Sequence, residues 1–245
     1  MLKPWHEIPI LHSEEPLAPL PDEIFCIEPH PYRSLGAPYR EQESPWMLRE
    51  KLIKRLLVTQ NYLQEKHSEL CLAVFDAWRP IRVQRFMYEH AINQECFSRG
   101  LNGLDIKDSC DYKEVLKTVN QFWAEPSLDR STPPPHSTGA AVDLTLAFKT
   151  TGESLDMGGE IDFIGSVSSP LYYSEAAQLD KESSACLWHS RRMLLKDIMS
   201  RSGFVQHPNE WWHFSYGDQL WAWSRKIDVA YYGSVNDPVS NSMIS

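Results

Sequence analysis

Apolar positions recur along this chain with two periods, and the switches between them mark out the elements. After Ser44-Pro45, Leu48, Leu52, Leu56 and Leu63 fall at helical spacing, so a helix is expected with the serine as cap, proline in its first turn and an end near Lys66. Residues 70–75 are uniformly apolar and too short for a helix, which reads as a buried strand. The helical period returns over 81–98, where Val83, Phe86, Met87 and His90 share one face, and again over 112–123, where Val115, Leu116, Val119 and Phe122 do so before Glu125-Pro126 ends the run. A β-favouring run follows in Ala141-Val142-Asp143-Leu144-Thr145-Leu146, with a turn at 149–153 leading toward another strand. Residues 165–182 are serine-rich and irregular, suited to lie over a cleft. Leu187, Trp188, Leu194, Leu195 and Ile198 then mark a helix from about 184 to 201, stopped by Gly203, and a strand is expected to open at Gly203-Phe204-Val205.

The two ends break this pattern. Residues 1–44 are rich in proline and aromatics with only short apolar runs, which predicts an extended arm packed on a core domain of residues 45–228. Residues 229–245, polar and serine-rich toward the end, read as a frayed tail.

Composition narrows the function. A length of 245 residues suits one large domain or two small ones, and the net charge of -9 argues against a general affinity for nucleic acid or anionic membrane, which would call for a basic face. A small-molecule or peptide ligand is expected instead. No window approaches the roughly 18 to 20 consecutive apolar residues of a membrane span, and the N-terminus lacks a signal-peptide pattern, so a cytoplasmic protein is expected. Five widely spaced cysteines without a Cys-x-x-Cys pair suggest reduced packing residues, which leaves histidine and carboxylate as the ligands for any metal. Oligomeric state is not readable from the sequence.

Candidate chemistry centres on Pro133-Pro134-Pro135-His136-Ser137-Thr138-Gly139 and the strand after it. Three prolines hold the incoming backbone extended, Gly139 permits a tight bend, and His136 and Asp143 are left on either side of the turn. Asp143 lies between Val142 and Leu144, where an ionised carboxylate is costly unless paired or bound to metal; a solvated edge-strand Asp and a loop His are the plainer reading. Glu210 and His213 are embedded among Trp211, Trp212, Phe214 and Tyr216, which fits either a tryptophan-rich core with one satisfied histidine or a metal ligand beside a base in a dry wall. Arg79 follows the strand-ending Asp76-Ala77-Trp78, and Asp162 follows the Met157-Gly158-Gly159 turn. His90 and His189, each alone on a helix, read as structural. His136, Asp143 and His213 make a plausible three-ligand set for a catalytic zinc, with Glu210 to take a proton from water and Arg79 to face a developing oxyanion.

These motifs, in this order over about residues 45–216, resemble the zinc D-alanyl-D-alanine dipeptidases. Those belong to a wider group of zinc D,D-peptidases that share an α+β fold with the Hedgehog signalling domain. The resemblance implies one domain with a central, mostly antiparallel sheet flanked by helices. It also implies one zinc ion per chain on His136, Asp143 and His213, with Glu210 as general base, Arg79 stabilising the transition state, and Asp162 fixing the ammonium group of a free dipeptide. The ligand set alone would equally accept cobalt or nickel. One departure stands out: Pro134 occupies a position where the family commonly has a substrate-holding serine, and proline offers a carbonyl but no hydroxyl or amide hydrogen. The expected activity is hydrolysis of D-Ala-D-Ala or a similar dipeptide for cell-wall dipeptide turnover. The alternatives are a D,D-carboxypeptidase on longer wall peptides, disfavoured by the absence of an export signal, and a non-catalytic zinc-binding interaction domain, disfavoured because structural zinc needs neither Glu210 nor Arg79.

Overall fold

The computed structural model describes residues 3–11, 13–101 and 109–235. The N-terminal arm supplies two short strands, β1 (Leu17–Pro19) and β2 (Phe25–Cys26), and a turn of helix, α1 (Pro31–Ser34). Next comes β3 (Met47–Arg49), which pairs antiparallel with β1, so helix α2 (Glu50–Gln64) starts later than Ser44-Pro45 suggested. The leucine spacing did identify the buried face, as Leu52, Leu56 and Leu63 are all inaccessible to solvent. It could not register a partner strand far upstream, and that pairing holds Met47 to Arg49 extended.

The remaining elements are β4 (Leu70–Asp76), α3 (Ile81–Ser98), α4 (Cys110–Val119), β5 (Ala141–Phe148), α5 (Ser174–Leu179), α6 (Ser184–Arg201), β6 (Val205–Gln206), β7 (His213–Ser215) and α7 (Gln219–Arg225). The main sheet has the order β2-β4-β5-β7-β6 and is antiparallel except between β2 and β4. This is the expected α+β architecture with a mostly antiparallel central sheet and flanking helices. Helices α5 and α7 were not foreseen: α5 lies within the stretch expected to be irregular, and α7 is a short, aromatic-rich helix capped by Asp218.

Strand alternation separates packing from chemistry. Leu70, Leu72 and Val74 of β4 and Val142, Leu144 and Leu146 of β5 enter the main core with Leu52, Leu56 and Leu195. Cys71, Ala73 and Phe75 point the other way, toward smaller clusters that include the cores of α3 and α4. Asp143 belongs to this second face, which explains how a carboxylate can sit between two core residues. The register then sets Asp76 opposite Asp143 and Asp143 opposite His213, a row of polar side chains across three adjacent strands.

The arm is integral to the domain. Trp5, Ile24, His30 and Tyr32 are buried, and Leu17 lies so close to Gly139 that a Cβ there would collide with Leu17 Cδ2. Gly139 also has φ +69°, so both its backbone and its neighbour require glycine. Residues 229–235 differ from the frayed tail expected to begin there. Ala230 and Tyr232 are buried, Ala230 bridges Ile10, and the Tyr232 hydroxyl donates to Glu15 at 2.7 Å, so the segment is locked between the arm and Gly217. Residues 236–245 lie outside the described residues.

Candidate active site

All six residues singled out in the sequence, Arg79, His136, Asp143, Asp162, Glu210 and His213, line one cavity of about 390 Å³. That volume is at the small end of the roughly 300–1,000 Å³ typical of ligand sites. His136 stands on a 3-10 turn, Pro135–Thr138, while Asp143 and His213 face each other across the β5–β7 ladder. Asp143 Oδ2 is 3.2 Å from His136 Nε2, Asp143 Oδ1 is 3.0 Å from His213 Nδ1, and the two imidazoles approach to 3.1 Å. One ligand atom from each residue falls within 4.8 Å of the others.

Outer hydrogen bonds decide which nitrogens face inward. His136 Nδ1 donates to the Ala77 carbonyl at 2.7 Å, which turns the Nε2 lone pair toward Asp143 and His213. His213 Nε2 donates to Ser215 Oγ at 3.2 Å, and that hydroxyl donates to buried Asp218 at 2.7 Å, which turns the Nδ1 lone pair inward. Two imidazole nitrogens and a carboxylate therefore converge within hydrogen-bond distance of one another, and a divalent zinc ion takes all three as ligands once the inward nitrogens carry no proton. Burial opposes ionisation of Asp143, but the adjoining His136 and His213 outweigh it and hold its carboxyl well below the usual range. The donor set fits zinc.

Arg79 is fixed on nearly every side. Its Nε and Nη2 reach Asp76 Oδ2 at 3.1 and 2.8 Å, Nη1 reaches Gln84 at 2.9 Å, and Nη2 also meets the Tyr32 hydroxyl at 3.2 Å and Asp143 at 3.4 Å. The guanidinium lies over the rings of Tyr32 and Trp123, a fully buried cation framed by acids and aromatic faces. Asp76 is shared with His30, whose Nε2 donates at 3.2 Å; burial would raise the Asp76 pKa, yet Arg79 and His30 hold it below the ordinary value.

The Tyr32 hydroxyl accepts from Arg79 and donates to Asp162 Oδ2 at 2.8 Å. Asp162 is half-buried and has φ +67°, a left-handed conformation that is uncommon outside glycine. Arg192 fixes the loop around it, bonding the carbonyls of Met157 at 2.8 Å, Val167 at 2.8 Å and Ser169 at 3.0 Å. Burial and the nearby Asp143 push the Asp162 pKa up to about 7.

Glu210 is buried 3.7 Å from His213 Nδ1 and 3.4 Å from His207 Nδ1. Burial, then the charges of Asp143 and Asp162, raises its pKa well above a free glutamate's, the direction a general base needs. His207 accepts from the Asn209 amide through Nδ1 at 3.3 Å, and burial and His213 keep it neutral. Sequence reasoning overlooked His207, Tyr32 and His30. The first lies outside any ligand spacing, and the other two lie in an arm without periodicity. His90 stacks on Phe86 of its own helix, away from this cavity.

Three inward ligands, a proton acceptor beside them and a buried arginine across from it place the molecule among single-metal hydrolases. Comparison with known proteins narrows the class. The model of Peptidase M15, described as D-ala-D-ala dipeptidase, matches residues 26–238. A D-alanyl-D-alanine dipeptidase from Synechocystis sp. is 42% identical over 243 residues, covering 96% of this chain and 97% of that protein. One from Streptomyces coelicolor is 38% identical over 80 residues, covering 33% of this chain and 35% of that protein. The chain belongs to the D-ala-D-ala dipeptidase family of metallopeptidases. Among solved structures, VanYB in complex with D-alanine-D-alanine aligns with a TM-score of 0.44 and 12% identity, covering 78% of this chain and 87% of that one, too distant to argue from.

Proposed function

We propose that the chain hydrolyses D-alanyl-D-alanine to two molecules of D-alanine, with zinc as its cofactor. The observation that carries this reading is that three inward-facing ligands, a proton acceptor, an arginine and a carboxylate suited to an ammonium group share one small cavity in a chain of this family. His136, Asp143 and His213 would hold the zinc, which when bound supplies positive charge to polarise the scissile carbonyl and acidify a water.

The other residues divide the remaining work. Asp162 pairs with the dipeptide's ammonium group and rejects chains whose amine is tied up in a peptide bond. Arg79 sets a guanidinium beside Asp143 to meet the negative charge that develops on the carbonyl oxygen; Asp76 and Gln84 hold it there, so little reorganisation is needed during reaction. Glu210 takes the proton from the attacking water and delivers it to the leaving amine. His207, neutral and 3.4 Å from Glu210, restricts where that carboxylate points. No helix among the described residues is long and apolar enough to cross a membrane. All five cysteines are free thiols, which supports a reducing, cytoplasmic setting.

The test is release of D-alanine from D-Ala-D-Ala by the purified protein, before and after chelation and after zinc is restored. Cleavage that is lost with chelator and regained with zinc is expected; zinc bound without cleavage would refute the reading.

A further inference from the structure

A free dipeptide carries two charges, and the residues above account for one. Between its ammonium group and its carboxylate lies the scissile amide, so a matching site needs a carboxylate at one end, catalytic groups in the middle and a cation at the other end. Contacts around the cavity connect groups of these kinds in that order. Asp162 meets Tyr32 at 2.8 Å, Tyr32 meets Arg79 at 3.2 Å and Arg79 meets Asp143 at 3.4 Å. Asp143 meets His213 at 3.0 Å, His213 meets Glu210 at 3.7 Å and Glu210 meets His207 at 3.4 Å. His207 packs edge-on against Trp5 at 5.9 Å between ring centroids, and the Lys3 ammonium lies 5.7 Å from the Trp5 ring centroid. Lys3, Trp5 and His207 line the same cavity as Arg79 and Asp162.

We propose that Lys3, carried into the cavity by the N-terminal arm, is the cation that binds the carboxylate of the dipeptide. The assignment rests on the dipeptidase reading above. Among the described residues that line the cavity, the lysines and arginines are Lys3 and Arg79, and Arg79, held by Asp76, Gln84, Tyr32 and Asp143, is the one assigned to the scissile carbonyl. The Asn120 carbonyl accepts from Lys3, but an ammonium has three N–H donors and two remain for a ligand. The position is built rather than incidental. Trp5 packs on Trp223 of α7 at 5.8 Å, and Gln219 of α7 donates to the Ile8 carbonyl at 2.7 Å, so the arm is pinned within and just after the 3-10 turn Pro4–Glu7. Lys3 is half-buried there; burial lowers its pKa, and the charges of Glu210 and Glu125 act in the opposite direction.

The order of these contacts agrees with the chemistry. With the ammonium group at Asp162, the scissile carbonyl reaches Asp143 and Arg79, and the leaving nitrogen reaches Glu210, which must protonate it. The carboxylate, one carbon beyond that nitrogen, then points to Lys3.

The experiment compares D-Ala-D-Ala with D-Ala-D-alaninamide, which lacks the carboxylate charge, in the zinc-loaded full chain and in Lys3→Met and Lys3→Arg. The wild type is expected to prefer the acid. Lys3→Met is expected to raise KM for the acid by about tenfold to a hundredfold and to shrink the acid-to-amide selectivity ratio by a similar factor, since a hydrogen bond to a charged group is lost. Lys3→Arg is expected to restore most of the ratio. A ratio unchanged in Lys3→Met, whether or not overall activity falls, would reduce Lys3 to a clamp on Asn120 and overturn the assignment. Equal cleavage of acid and amide by the wild type would overturn it as well. Absence of any zinc-dependent cleavage in the wild type would instead strike the dipeptidase reading, and this assignment with it.

Discussion

Replacing Tyr32 with phenylalanine isolates one hydroxyl at the junction of the site. The ring is buried against Phe75 at 5.8 Å and lies beneath Arg79, so Tyr32→Phe keeps the packing and removes only the oxygen that accepts from Arg79 and donates to Asp162. A hydrogen bond to a charged group is worth about 1.5–3 kcal/mol, which corresponds to a loss of about tenfold to a hundredfold in kcat/KM if both partners act on the substrate. The stability cost should be smaller because Asp162 is half-exposed and water can replace the donor. For a domain of this size a loss of 1 kcal/mol lowers Tm by roughly 2–4 °C. The pH dependence carries the distinctive sign. Asp162 has a pKa raised to about 7, and the Tyr32 hydrogen bond holds it down from a still higher value. Removing that bond raises the pKa, so at neutral pH a larger fraction is protonated and cannot pair with an ammonium group. A metal cation on Asp143 lowers both variants' midpoints but not their order. KM for D-Ala-D-Ala should therefore fall more steeply with rising pH in Tyr32→Phe than in the wild type, as read from steady-state kinetics between about pH 6 and 8.5. A variant with wild-type KM and the same pH profile would refute the placement of Asp162 at the ammonium group.

Other perturbations separate the roles. Glu210→Gln should retain zinc by metal analysis and lose about 10²- to 10⁴-fold in kcat, whereas His213→Ala should lose both; wild-type turnover in the glutamine variant would sink the general-base role. Ser215→Ala removes the hydroxyl that links His213 Nε2 to Asp218, and zinc affinity measured by chelator competition should weaken about tenfold to a hundredfold. Arg192→Met frees the Met157, Val167 and Ser169 carbonyls that hold the loop of Asp162, and should destabilise the fold by about 2–4 kcal/mol while raising KM; an unchanged melting temperature would contradict the clamp.

The parts legible in the sequence were those written in local pattern. Helix α6 announced itself by period and strand β4 by a short, uniformly apolar run, while Asp143, Glu210 and His213 stood out by residue type in an apolar or aromatic setting and His136 by its place between three prolines and Gly139. What escaped depended on contacts between distant segments. Strand β3 exists because β1 pairs with it, and residues 229–235 are ordered because Ile10, Glu15 and Gly217 hold them. Neither partner has a signature in the segment it orders. Tyr32 and Lys3 illustrate the same limit at the site. In an irregular, proline-rich arm nothing indicates which side chains turn inward, and only the folded arm brings them to Arg79, Asp162 and the cavity.

The central claim is that the cavity takes a free dipeptide with its amine against Asp162 and hydrolyses it with zinc on His136, Asp143 and His213. The most direct measurement is kcat/KM of the zinc-loaded protein for D-Ala-D-Ala and for its N-acetylated form, repeated with Asp162→Asn. The account predicts cleavage of the free dipeptide, strong discrimination against the acetylated one, and loss of much of that discrimination in the asparagine variant. Comparable cleavage of both substrates by the wild type, as a carboxypeptidase on longer peptides would show, would contradict it.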